Sequence, residues 1–278
     1  MKKIWFLSFV FLLVACTVED DTQKKLSVEQ GQSVPVTSQS NDTANAAQLI
    51  EVVEKINAMS QWESFYSTFM YKEYSDVGMN LASESTIKTK YRLNPPEAYI
   101  EHLDIGFSQQ MVDYYANKID GYYENHNMNG WRKMEASTDP LMSIIPSRIE
   151  LLQTLIANAE EFYKMGGEDY PDGGFFNIRA DALEEVYLKL LKTFFMNAIE
   201  NDVDREQLKN LYSDSMEFTM ISVTIEQYED QIGQYTIQVF FINPETGEEQ
   251  EYHFFEMFEY VNELEKIELP EELQQLLA

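Results

Sequence analysis

Leu13-Val14-Ala15-Cys16 is the run whose residue types and spacing specify a covalent reaction. A small residue before a cysteine, closing a short apolar stretch, is a lipobox. The leader is cut before the cysteine and lipid is attached to the thiol. Cys16 is the only cysteine of 278 residues, so lipidation would consume the one thiol and the folded part carries no disulfide. Lys2 and Lys3 give the leader its positive start. Ile4 to Val14, polar only at Ser8, is far shorter than the roughly 20 residues a spanning helix needs. An ordinary leader is the alternative reading. It would carry small residues at both cleavage positions, where Leu13, Val14 and Ala15 stand instead.

No other residue set spells out a reaction. The three histidines, His102, His126 and His253, belong to no H-E-x-x-H pattern and read as surface or strand residues. G-x-S-x-G, a phosphate-cradling glycine loop and a dinucleotide fingerprint are all missing. Asp202, Asp204 and Glu206 alternate as in a calcium loop. The glycine and glutamate that such a loop needs further on are replaced by Gln207 and Ser213. Asp169 and Asp172 flank a turn at Gly173-Gly174 and are equally incomplete. Both acidic stretches read as solvated loops. A carboxylate pair for glycoside cleavage has no signature among 48 acidic residues. The expectation is a protein without catalysis, metal or cofactor.

Binding is the remaining chemistry. Seventeen Tyr and 17 Phe are many for this length, and several alternate along extended stretches. Phe65, Phe69 and Tyr71 share one face of a strand, and Phe240, Phe254 and Phe258 belong to the last strands. These six are the candidate lining of a cavity for an apolar ligand. A filled core would show the same alternation.

The elements that position them follow from periodicity. Leu49, Val52, Val53, Ile56 and Met59 form the stripe of an opening helix from Ala46. Strands are expected over 65–72, 79–92, 98–105, 111–117 and 121–126, then a turn at Asn127–Gly130 and a return at Trp131–Met134. Ser147 and Glu150 read as a capping box for a helix reaching Phe162. Gly166-Gly167 and Gly173-Gly174 bracket a loop. Asp181 starts a further helix with the stripe Leu183, Val186, Tyr187, Leu190, Leu191, Phe194 and Phe195. Strands return at 216–228, 235–242 and 251–261, with a loop at Gly233 and a turn at Pro244–Gly247. Short connections predict antiparallel pairing. The fold class is therefore α+β: a strongly curved antiparallel sheet, an open half-barrel, covered by amphipathic helices.

Three segments result: a lipoprotein leader at 1–15, the lipidated Cys16 with a flexible polar tether to residue 45, and one domain over 46–278. The tether reading rests on a run without aromatics, rich in Ser, Thr, Gln, Asp and Asn. The chain carries 20 basic and 48 acidic residues, a net charge of −28. That balance disfavours nucleic acid and anionic headgroups as partners.

Four places carry a resemblance. They are the lipobox ending at Cys16; the helix running into an aromatic strand, Leu49 to Tyr74; Tyr114-Tyr115 with Gly121-Tyr122-Tyr123 and Gly130-Trp131-Arg132-Lys133-Met134; and Tyr260-Val261-Asn262-Glu263 with Ile267-Glu268-Leu269-Pro270-Glu271-Glu272. In that order they resemble a family, itself without assigned function, of cell-surface lipoproteins of Gram-positive bacteria. Its domain is similar to that of the periplasmic outer-membrane lipoprotein carrier protein. The resemblance implies a half-barrel with helices across its mouth and handling of hydrophobic ligands or lipid at the envelope. It supplies no catalytic residue. The expected protein is held on the outer face of the cell membrane by an acyl anchor on Cys16. There it would bind a lipid, another hydrophobic molecule or an acylated partner. The alternative is a module that docks an envelope protein without a ligand cavity.

Overall fold

The computed structural model describes residues 39–74, 81–105, 111–135, 144–167, 170–194, 217–243 and 246–278. Cys16, the leader, the calcium-like run at Asp202–Glu206 and Phe195 lie outside them. Among the described residues, no helix is long and apolar enough to cross a membrane.

Eleven strands form one antiparallel sheet. They are β1 (Ser64–Tyr74), β2 (Leu81–Leu93), β3 (Pro96–Ile105), β4 (Met111–Asn117), β5 (Gly121–His126), β6 (Arg132–Met134), β7 (Ala159–Gly167), β8 (Tyr170–Ile178), β9 (Glu217–Tyr228), β10 (Gln231–Ile242) and β11 (Glu249–Glu259). Neighbours run in chain order away from β1 to β6 and back from β7 to β11, and β11 pairs with β1. The sheet is thus an up-and-down meander left open between β6 and β7. In chain order, a helix lies between these two edge strands. It is a curved α+β sheet of the expected class.

Local chemistry sets the turns. Asn94-Pro95 is a cis bond in the tight link where Leu93 pairs with Pro96. Asn127 and Met128 both take positive φ, and the Asn129 N–H bonds back to the His126 carbonyl at 3.0 Å. That backbone matches the twist of a β-hairpin. Gly247 takes φ +72° at the predicted turn.

Four helices are described: α1 (Gln39–Ala58), α2 (Ile144–Ala157), α3 (Leu183–Phe194) and α4 (Glu271–Leu277). The predicted stripes of α1 and α3 turn inward. Val52 and Ile56 of α1, Met59 just beyond its end, and Val186 and Leu190 of α3 are fully buried, as are Leu151, Leu152 and Leu155 of α2. The α1 helix packs on β7, β8 and β10, and α3 packs on β9. One inner core joins these helices to alternate residues of the strands. A second, smaller cluster lies on the outer face, where Tyr99, Tyr115 and Tyr123 meet Ile267 and Leu273.

Four local readings change. Gly233, read as a loop, lies inside β10, where the pairing with β9 shifts register between Ile232 and Gln234. The α1 helix begins at Gln39, inside the stretch read as tether, because polar residues extend a helix readily once its far end is packed. Pro146 and Ser147 sit inside α2, and Glu150 pairs with Lys189 at 2.5 Å instead of capping. Residues 159–167 and 170–178, read as a helix end and a loop, form the paired strands β7 and β8. Phe162 and Phe176 face each other there as a cross-strand pair.

Candidate functional site

Strand pairing places the inner-face side chains in rows. One row runs Phe69, Ile87, His102, Val112, His126 across β1 to β5. The next runs Ser67, Thr89, Ile100, Tyr114, Glu124 and Arg132 out to β6. A third runs Phe65, Tyr91, Ala98, Ala116, Tyr122 and Met134. Toward β6 the composition shifts from phenylalanine to histidine, tyrosine and charged groups.

Near β1 and β11 the face is sealed by helices. Phe65, Phe69, Phe254 and Phe258 are each at most 5% exposed. Phe69 stacks on Phe194 of α3 with centroids 3.9 Å apart, and Phe258 meets Trp62 at 5.1 Å. Tyr71 contacts Phe254 and Tyr252. Five of the six expected lining residues therefore come together, with Phe194 of α3 and Trp62 packed against them. Phe240 does not join them. It alternates with the buried Phe241 and stands on the other face, opposite Met220.

Within this sealed half lies a charged cluster that aromatic patterning did not single out. Glu256 of β11 is fully buried and Arg148 of α2 is 6% exposed. The Arg148 Nε donates to Glu256 Oε2 at 2.6 Å. Tyr235 donates to the same oxygen, and the Ser67 hydroxyl donates to Oε1 at 3.2 Å. Arg148 Nη1 reaches the Thr193 carbonyl at 3.1 Å, and its guanidinium lies 4.2 Å from the Phe194 ring centre. Burial alone would lower the Arg148 pKa; Glu256 and Tyr235 outweigh it and hold it above its ordinary value. Burial first, then Glu256, pushes the Tyr235 phenol well up, so it stays a neutral donor. The sequence did carry a signal. Glu256 alternates with Phe254 and Phe258 on a buried face, and a charge there demands a partner.

Toward β6 the inner face mixes polar and apolar groups: Ser83, Ser85, Ile100, Val112 and Glu124 are buried, and His102, Tyr114, Tyr122 and His126 are half-buried. Arg132 Nε donates to Glu124 Oε1 at 2.7 Å, and His126 Nε2 lies 3.2 Å from that oxygen. His102 Nε2 pairs with the Ser85 hydroxyl at 2.9 Å, and Ser83 donates to Glu73 at 3.1 Å. Tyr114 and Tyr122 stack with centroids 6.0 Å apart. Burial, then Tyr114 and Glu124, raises the Tyr122 pKa. Apolar and hydrogen-bonding groups alternate over this stretch, the lining an amphiphile needs. The sequence reading missed it by treating the histidines singly.

Elsewhere, His253 pairs with the buried Glu251 on the outer face, beside Gln238. An open hollow over β7 and β8 is lined by Glu160, Glu161, Tyr163 and Asn177 and is not apolar. Among the described residues, no group of three His, Cys, Asp or Glu is placed to hold a metal ion.

No protein-family model matches the chain, and neither does any curated protein. Among solved structures it is similar to a domain from Vibrio parahaemolyticus, provisionally assigned to outer membrane lipoprotein sorting. That match has 8% identity, covers 82% of this chain and 99% of that one, and has a TM-score of 0.27. A DUF1329 family protein from Desulfovibrio piger matches at 8% identity over 81% and 95% of the two chains, with a TM-score of 0.25. The dehydratase domain of a mycocerosic acid synthase-like polyketide synthase matches at 10% identity over 77% and 80%, with a TM-score of 0.17. Likenesses this weak say nothing of what the chain does.

Proposed function

We propose that the protein is an extracytoplasmic binding protein, lipid-anchored through Cys16, that takes a hydrophobic ligand or an acylated partner without catalysis. The domain would begin where α1 begins and stand off the outer face of the cell membrane. The observation that carries the reading is the inner face of β2 to β6. There Ile87, Ile100, Val112, Tyr114 and Tyr122 alternate with Ser85, His102, Glu124 and His126 in an open sheet. An acyl chain would lie along the apolar members and its polar end would meet the hydrogen-bonding ones. The phenylalanines beneath the helices would serve as the floor that fixes this face.

Native mass spectrometry of the protein purified from its own host's membranes, followed by solvent extraction, tests the proposal. A stoichiometric adduct that is lost in a Tyr114→Asp variant is the expected result. An unliganded wild-type protein at full occupancy of the fold refutes it.

The packing of Phe69 against Phe194 of α3 and of Phe258 against Trp62, which leaves these rings no free face, favours a second reading, a docking module for another envelope protein. Crosslinking in cells that recovers one stoichiometric partner, with no extractable adduct, selects that reading.

A further inference from the structure

The outer face of β3, β4 and β5 carries a ladder of three tyrosines in register, Tyr99, Tyr115 and Tyr123. Trp131 stands beside Tyr99 with ring centres 6.2 Å apart. The chain's own end lies over this ladder. Ile267 and Leu273 are buried on it, and Leu269 and Leu277 pack partly against it. These residues touch a cluster separate from the inner core.

The preceding residues are tied to the backbone: Asn262 N–H donates to the Ser64 carbonyl at 2.7 Å and Leu264 N–H to the Ser64 hydroxyl at 3.1 Å. Beyond them this changes. Among the described residues, every hydrogen bond of residues 267–278 stays within the segment: Gln274 to Pro270, Gln274 to Leu269 and Gln275 to Glu271. Lys266 pairs with Glu268, both about three-quarters exposed. Among the described residues, the segment is held to the ladder by apolar side chains and reached through an exposed link.

We propose that the tyrosine ladder is a peptide-binding groove whose ligand is the Ile267–Leu277 segment, in cis as seen here or from a second copy of the chain. The same contacts form either way, so exchange costs only the freedom lost on association. In the intact chain the link keeps its own tail at high effective concentration, and the cis form dominates. When one copy cannot seat its tail and another has lost its groove, the two complement each other.

Two differently tagged full-length copies test this. One carries Leu273→Asp, which spoils the tail and leaves the groove. The other carries Tyr115→Asp, which spoils the groove and leaves the tail. After detergent extraction the mixed pair is expected to co-purify one to one, and each variant paired with itself not at all. Co-purification of the mixed pair no greater than of the wild-type pair overturns the proposal. So does loss of the sheet's far-ultraviolet signal in the Leu273→Asp copy, because the tail is then part of the fold and not a ligand of it. Should the groove variant fail to fold, the full-length Leu273→Asp chain, whose own tail cannot seat, is titrated with a synthetic peptide of residues 265–278, and Trp131 fluorescence is followed. A saturable shift absent with the Leu273→Asp peptide is expected. An unchanged signal overturns the proposal.

Discussion

Removing the charge of Glu256 should cost more than any surface substitution in this protein. Glu256→Gln keeps the shape of the side chain and leaves the Arg148 guanidinium buried without a counter-charge. Breaking one side of a buried ion pair costs about 3–5 kcal/mol. The amide oxygen still accepts from Tyr235 or Arg148, which puts the expected loss near the low end, about 3 kcal/mol. With a urea slope of about 3 kcal/mol/M for a chain this size, the midpoint should fall by about 1 M. Arg148→Met should cost as much or more. It strands the carboxylate and frees the Thr193 carbonyl at the end of α3.

The diagnostic variant removes both charges and the phenol at once, leaving the Ser67 hydroxyl and the Thr193 carbonyl without those partners. Arg148→Met, Glu256→Leu and Tyr235→Phe together leave no buried charge and no orphan phenol, and apolar replacement of buried pairs is often neutral or better. The triple variant should therefore be more stable than either single one, with a coupling between positions 148 and 256 of about 2 kcal/mol. Urea unfolding followed by tryptophan fluorescence reads all of these. Single variants each within about 1 kcal/mol of the parent, adding without coupling, would show that water reaches the pair and that the burial argument is wrong.

The other predictions are smaller. Gly174→Ala should destabilise by about 1–3 kcal/mol in thermal unfolding, because its new methyl would stand 1.9 Å from the Phe162 ring in a full core. Phe69→Ala should cost about 3–5 kcal/mol in urea unfolding. It should leave any extractable adduct unchanged if that ring is floor and not lining. Alkaline stability has a definite sign. Burial holds Tyr71, Tyr235 and Tyr252 above the ordinary 10.0, so above pH 10 the unfolded chain releases protons the folded one keeps. Stability should be level below that pH and fall above it, with phenolate absorbance appearing only as the fold is lost. Asp113 has the opposite use of acid. Burial, then Glu101, raises its carboxyl above the ordinary 3.8, so Asp113→Asn should gain a few tenths of a kcal/mol, about 0.3, at neutral pH. That gain should vanish as acid protonates the parent.

Alternation made the two ends of the meander legible. From Ser64 to Met134 and from Glu217 to Glu259, hydrophobic and polar residues exchange faces every second position, and the strands fall close to where that pattern puts them. It failed at 159–167 and 170–178 because the β7–β8 pair is glycine-rich. Gly173 and Gly174 offer no side chain to mark a face, so the pattern reads as a loop. The site was harder for a related reason. Phe69, Phe254 and Phe258 face inward as expected, but periodicity states only that a residue is inside, never what lies against it. Phe194 lies against Phe69 and Trp62 against Phe258, which makes those rings floor. The polar stretch required knowing that β3, β4 and β5 are neighbours in register. His102 and His126 are far apart in sequence and share a row through Val112, a relation that no spacing within one strand encodes. Glu256 is the exception. It breaks the apolar code of its own strand, so both its burial and its need for a cation were readable before any fold was known. A charge on a face that must be dry is therefore a sharper pointer in this sequence than a run of aromatics.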